Sequence, residues 1–312
     1  MTAFRLGINT CFAVKRWPRP ADWAPIVRDE LGFDLVQHSL DLVNTEASEA
    51  ELRREVAALR ETCDGAGLAL HSTFTGLAAY STNLLLHPDR ERRSRALEWY
   101  RQVIGYTAAA GAASTGGHVG AYSVADWRDP RRRAERWRDL QASLRLLAAD
   151  ARQAGLDSLM VENLAAAREP STMDGVRSLL TDGDADHVPI VLCLDVGHQC
   201  VPGATGAEAD PYAWLTQLGS FAPVVQLQQS DAVADHHWPF TPEANRAGRI
   251  EAERVLRAIE ASGATEVALI LEIIPPFEAD DDQVVDDLRV SAEYWRRACA
   301  SWIGKDADES GT

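Results

Sequence analysis

Three acidic residues stand near the ends of three short apolar runs: Glu162 in DSLMVEN, Asp195 in PIVLCLDVG and Glu272 in EVALILEI. Alternation within each run separates two faces. Leu192 and Leu194 suit one face and leave Cys193 and Asp195 on the other. Leu269 and Leu271 likewise leave Ala268, Ile270 and Glu272, and the same parity sets Glu162 beside Met160. In PVVQLQQS, Gln226 and Gln228 oppose Val225 and Leu227. Carboxylates converging at one end of an apolar interior repel one another and require a compensating cation. Oxygen ligands from Glu162, Asp195 and Glu272, with an amide oxygen from Gln228, suit one Mn²⁺ or Mg²⁺ better than Zn²⁺ or Co²⁺. Each acid alone reads as well as a helix cap or an arginine partner; the three together are harder to explain that way.

Histidine adds a second signal. His38, His71 and His118 are expected at the ends of the second, third and fourth strands, and His198 lies three residues beyond Asp195. Four of the eight histidines would then ring one mouth, where imidazole can bind substrate or move a proton. His236 and His237, in DHHWPFT, divide evenly between substrate contact and a capping role. Trp17, Phe74, Tyr80, Trp238 and Phe240 fall in post-strand segments where rings could shield a substrate, although ordinary loop packing is the commoner use. The acidic run ADDDQVVDD reads as the N-terminus of the last helix rather than as a metal cluster.

Eight repeats of strand and helix are needed to hold these residues, and the sequence provides them. The strands are expected at Phe4–Thr10, Asp34–Leu40, Leu68–Phe74, Ala112–Val119, Asp157–Asn163, Pro189–Gly197, Pro223–Ser230 and Glu266–Ile273. The clearest helices are Glu46–Ala66, Arg90–Ala110, Pro130–Ala154 and Gln283–Ala300, several closing at a glycine before the next strand. The fourth strand is the weakest, because Gly116 and Gly117 reduce its propensity. The first turn, INTCFAVKRW, has no G-x-G-x-x-G, which disfavours a Rossmann sheet. The reading is α/β, a single (β/α)8 TIM barrel over residues 1–304 with a frayed polar tail over 305–312. Residues 230–249 form a long insertion after the seventh strand, at the end where such barrels build active sites.

The bulk numbers bound the partners. A net charge of −16 opposes nucleic acid and acidic membrane surfaces, while leaving room for a small phosphate at local cations. Lys15 and Arg16 in the first loop, with Arg246 or Arg249 after the seventh strand, are phosphate candidates; solvated surface charge is an equal alternative. Five cysteines without paired short spacing, no signal-like N-terminus and no long apolar stretch lead us to expect reduced thiols and a cytoplasmic location. A homo-oligomer is compatible with the sequence but not demanded by it.

The ordered set VEN, CLDVGH, QLQQSD and LILE resembles the xylose isomerase-like barrel superfamily of sugar isomerases and epimerases over nearly the whole chain. That resemblance implies a metal held by Glu162, Asp195, Gln228 and Glu272, with His198 touching substrate. The sequence departs from the family at strand seven, where glutamine replaces a histidine. The segment QLQQSDAVADHHWPFTPEANRAGRI further resembles the branch containing erythrulose-phosphate epimerases. The implied chemistry is proton transfer beside a ketone through a metal-stabilised enediolate, with Glu162 and Glu272 as the two bases. The expected substrate is a small ketose or ketose phosphate, foremost a tetrulose phosphate undergoing 3-epimerisation. Alternatives are aldose–ketose isomerisation, decarboxylation of a 3-oxo sugar acid, a sugar-binding barrel without metal, and an endonuclease IV-like hydrolase, which the charge opposes.

Overall fold

All eight expected strands form in the computed structural model, which describes residues 2–164 and 168–309. They are β1 (Ala3–Asn9), β2 (Leu35–Ser39), β3 (Ala69–Phe74), β4 (Ser114–Gly117), β5 (Ser158–Glu162), β6 (Ile190–Asp195), β7 (Val224–Leu227) and β8 (Glu266–Leu271). All pair in parallel with their neighbours in chain order, and β1 pairs with β8 to close the barrel. The helices follow the expected segments as Glu49–Ala66, Arg90–Ala110 and Pro130–Gln153, and Gly67 and Gly111 close the first two in the left-handed conformation. The acidic run does open the last helix, Asp281–Glu309, which extends into the expected polar tail; residues 310–312 lie outside the described residues.

The parity argument holds. Leu35, Phe74, Met160, Cys193, Val224, Ala268 and Ile270 pack together inside the barrel, whereas Leu192, Leu194, Val225, Leu227, Leu269 and Leu271 join the layer beneath the helices. Apolar side chains of mixed type thus fill the barrel, and the polar residues that continue the inward rows reach its C-terminal mouth. All five cysteines are free thiols. No described helix is long and apolar enough to cross a membrane.

The fourth strand is four residues long, and its glycines have a packing reason. A Cβ on Gly116, whose φ is +153°, would sit 1.9 Å from the carbonyl oxygen of Met160 on β5. Strand propensity is given up so that two backbones can close the barrel. Gly116→Ala is therefore expected to cost about 3 kcal/mol, read as a lower urea midpoint with an unchanged m value; an unshifted midpoint would show that the two strands relax apart freely.

Candidate active site

The inward rows of β5, β6 and β8 end in Glu162, Asp195 and Glu272, and all three side chains are buried at the mouth. Each is held by a different part of the sequence. Tyr80, in the short helix after β3, donates its hydroxyl to both Glu162 oxygens at 2.6 Å. Asp195 Oδ1 accepts the backbone N–H groups of Gly197 and His198 at 2.6 and 2.9 Å, because the chain turns immediately after β6. Asn163 clamps the same turn, its amide bonding the Asp195 backbone at both N–H and carbonyl. Glu272 Oε1 accepts from Asn9 at 3.2 Å and from Gln226 at 3.0 Å, while its Oε2 is buried with no hydrogen-bond partner.

Gln228, expected to offer its amide oxygen, turns its amide nitrogen toward the acids instead. Its Oε1 accepts from Ser230 Oγ at 2.6 Å and from the His237 backbone N–H at 2.8 Å. Its Nε2 donates to Asp195 at 3.1 and 3.2 Å and to Asp235 at 3.0 Å. A backbone N–H can only donate, so the amide is fixed in this sense, with its nitrogen facing the acids. Gly197 makes the space for it: a Cβ there would lie 2.2 Å from Gln228 Cδ.

The loop after β7 supplies what the strand lacks. It is pinned across the mouth by paired backbone bonds between Gln229 and Trp238, and by Ile274 N–H to the His237 carbonyl. Asp235 and His237 thereby descend among the acids. His237 Nδ1 lies 3.2 Å from the Glu272 carbonyl, and its Nε2 lies 3.2 Å from the Gln228 amide nitrogen and 3.4 Å from Asp235. This network assigns the proton to Nδ1 and leaves the Nε2 lone pair directed into the cluster, the orientation a metal-binding imidazole requires. His198 is turned similarly, with Nδ1 on the Asn163 carbonyl at 2.8 Å and Nε2 3.3 Å from Asp235. Ligand atoms of Glu162, Asp195 and His198 lie within 4.8 Å of one another, as do those of Asp195, His237 and Glu272 and those of His198, Asp235 and His237.

Charge is crowded here. Burial raises Glu162 and Glu272 above the ordinary carboxyl range; Asp195 adds to both, and His198 opposes the rise at Glu162. Burial works against a charged His198, yet Asp195, Asp235 and Glu162 carry its pKa up to about 9. Asp235 is held low despite burial, because His198 and His237 face it. A cavity of about 170 Å³ opens above the cluster, lined in part by Phe74, Tyr80, Arg168, Asp235, His237 and Glu272.

Several nominated residues lie elsewhere. His71 is the third residue of β3 and faces Arg5 and Glu266 at the opposite, N-terminal end of the barrel. His38 points outward between Trp23 and Tyr106, where burial lowers its pKa to about 4. His118 lies behind the site, stacked 4.8 Å from Tyr80, and burial holds it neutral with a pKa of about 3. His236 stacks on Trp238 and contacts Asp231. Lys15 is bound to the Phe277 carbonyl, Arg16 to three carbonyls and Asp281, and exposed Arg246 to Glu243. Phe74 and Tyr80 line the cavity as aromatic walls, whereas Phe240 packs on Trp295. The sequence patterns do not single out Asp235, Asn9 or Arg168; only Asp235 carries a local signal, standing directly before the paired histidines.

Barrel closure, inward parity and acids at the C-terminal mouth define a metal-competent (β/α)8 scaffold. The chain belongs to the xylose isomerase-like TIM barrel family, which matches residues 28–296. A solved structure described as a putative xylose isomerase from Rhodospirillum rubrum is 34% identical, with a TM-score of 0.87, covering 95% of this chain and 99% of that one. D-erythrulose 1-phosphate 3-epimerase of Brucella abortus (strain 2308) is 27% identical over 297 residues, 94% of this chain and 96% of that protein. A D-psicose 3-epimerase from Clostridium cellulolyticum H10, solved with D-tagatose, shares the fold at 16% identity and a TM-score of 0.68, covering 94% and 99% of the two chains.

The charge balance predicts a pH dependence. Groups that bind protons more tightly folded than unfolded lose stability as pH rises. Glu162 and Glu272 do so from 4.5 upward, and His198 from 6.5 to about 9, so the two effects have the same sign. In EDTA-treated protein, Tm is expected to fall steadily between about pH 5 and pH 8, and Glu272→Gln should flatten that slope. A Tm that rises across the window would contradict the assigned environments.

Proposed function

We propose that this protein is a divalent-metal-dependent 3-epimerase of a small ketose phosphate, with a tetrulose phosphate as its substrate. The observation that carries this reading is the pair Glu162 and Glu272, both buried at the C-terminal mouth, one held through Tyr80 and the other through Asn9 and Gln226. Epimerisation needs one group to remove a proton from carbon and a second to return one from the other face. Two carboxyl groups at one mouth can supply the group that takes the proton and the group that returns it. The similarity to D-erythrulose 1-phosphate 3-epimerase over nearly the full length of both chains supports the substrate class. So does the cavity, whose 170 Å³ is room for about six waters or one short sugar.

The residues fit a divalent ion, since Glu272 Oε2 is buried without a partner beside other carboxylates. We assign Glu162, Asp195, His237 and Glu272 as its ligands, with Mn²⁺ or Mg²⁺ favoured by the three carboxylates. When bound, the ion withdraws charge from the substrate carbonyl and acidifies the neighbouring C–H. Tyr80 holds the Glu162 carboxyl, while Asn9 and Gln226 hold Glu272 by one oxygen and leave the other toward the cavity. The loop carrying Asp235 and His237 forms one wall of the cavity.

With Mn²⁺ in D₂O, the protein is expected to place deuterium at C3 of a tetrulose phosphate, and Glu162→Gln and Glu272→Gln should each slow exchange about 10³-fold. Undiminished exchange in either variant would remove that residue from the proton path. His237→Ala should weaken Mn²⁺ at least about 100-fold by EPR of the free ion; unaltered affinity would remove His237 from the ligand set.

A further inference from the structure

We propose that Asp41, on the loop after β2, is a positioning residue for the proton transfer at Glu162, acting through Tyr80; the inference rests on the epimerase reading above. The two acids of that reading are held differently. Glu272 accepts from Asn9 and Gln226, both carried on barrel strands. Among the described residues, the Glu162 side chain takes its hydrogen bonds from the Tyr80 hydroxyl alone, 2.6 Å from both oxygens. His198 Nδ1, 3.4 Å from Oε1, is turned to the Asn163 carbonyl. Tyr80 closes a helix of only five residues, Gly76–Tyr80. A helix that short has no stability of its own, so the aim of the hydroxyl depends on what ties the helix down.

The helix does not cap itself. Thr75, at its N-cap position, gives no side-chain cap, and its Oγ1 accepts the His118 N–H at 2.9 Å instead. The N–H groups that a first turn leaves open, those of Leu77 and Ala78, donate to the two Asp41 oxygens at 2.6 and 2.9 Å. Ser39, the last residue of β2, donates its hydroxyl to Asp41 Oδ2 at 3.2 Å and accepts the Asp41 N–H, which ties the carboxylate to the strand end. Gly76 makes room for this contact: its φ is +74°, and a Cβ there would lie 2.4 Å from Asp41 Oδ2 and 2.7 Å from Ser39 Oγ. At the far end of the helix the Tyr80 ring stacks on His118, 4.8 Å away. A carboxylate outside the cavity lining thus sets where one of the two acids points.

The test is a double-mutant cycle on deuterium uptake into a tetrulose phosphate by the Mn²⁺-loaded full chain. Asp41→Ala and Tyr80→Phe are each expected to lower kcat about 30-fold with KM little moved, since each loosens the Glu162 carboxyl. The double variant should lose no more than the worse single one, within about twofold. Asp41→Asn, which keeps one carbonyl acceptor, should lose about fivefold in kcat, again with no further loss beside Tyr80→Phe, and it carries the test if Asp41→Ala does not fold. In metal-free protein, hydrogen exchange at the Leu77 and Ala78 amides should quicken about tenfold in either Asp41 variant. A purely structural Asp41 would lower kcat independently of Tyr80, so that the two losses multiply. That result, a wild-type kcat in the Asp41 variants, or unaltered amide exchange would overturn the inference while leaving the epimerase reading intact. A wild-type enzyme that exchanges deuterium into no ketose or ketose phosphate would remove both.

Discussion

Four carboxylates meet at the mouth of this barrel, and the arrangement around them follows from the need to hold that charge out of bulk water. Asp195 is met by two backbone N–H groups and the Gln228 amide, Glu162 by Tyr80, Glu272 by Asn9 and Gln226, and Asp235 by Arg168 and two imidazoles. These donors come from β1, the turn after β6, β7 and the loops after β3, β5 and β7. The full set meets only when the barrel is closed, since an open sheet would part Asn9 on β1 from Glu272 after β8. Even so, one Glu272 oxygen is left buried without a partner. The Arg168 guanidinium and a protonated His198 offset only part of the charge of four carboxylates, which is why a divalent cation is the natural complement.

Gln228 gives the site its particular form. At the end of β7 its amide nitrogen spans Asp195 and Asp235, and its oxygen fixes the backbone of His237. One side chain thus orients two acids and draws a loop histidine into the cluster. A histidine on the strand would be a direct ligand held by rigid backbone. Here the strand carries a glutamine, and the imidazole of His237 comes from the following loop, which also lines the cavity.

This division fits the pattern of relatives. Proteins with TM-scores between 0.57 and 0.70 and identities of 14 to 18% share the barrel with this chain. Such a scaffold needs only aliphatic rows below and polar residues at the strand ends, which many sequences satisfy. In this chain Asp235 and His237 lie on the loop after β7, and Arg168 lies in the two-stranded ribbon after β5.

The sequence by itself determined the strand count, the inward rows and the three strand-borne acids, because alternation is local and a barrel strand has only two faces. Parity says which face a residue takes but not how far up the barrel it sits. His71 lies at the opposite end for that reason: it is the third residue of its strand. His38 shows the complementary case, a strand-end residue on the outward face. Long-range contacts set the sense of the Gln228 amide, the descent of Asp235 and His237, and the pairing of Lys15 with the Phe277 carbonyl. Each depends on hydrogen bonds between segments far apart in the chain or on the path of a loop. Those are set by which donors and acceptors the closed barrel brings within reach, and no local pattern encodes them.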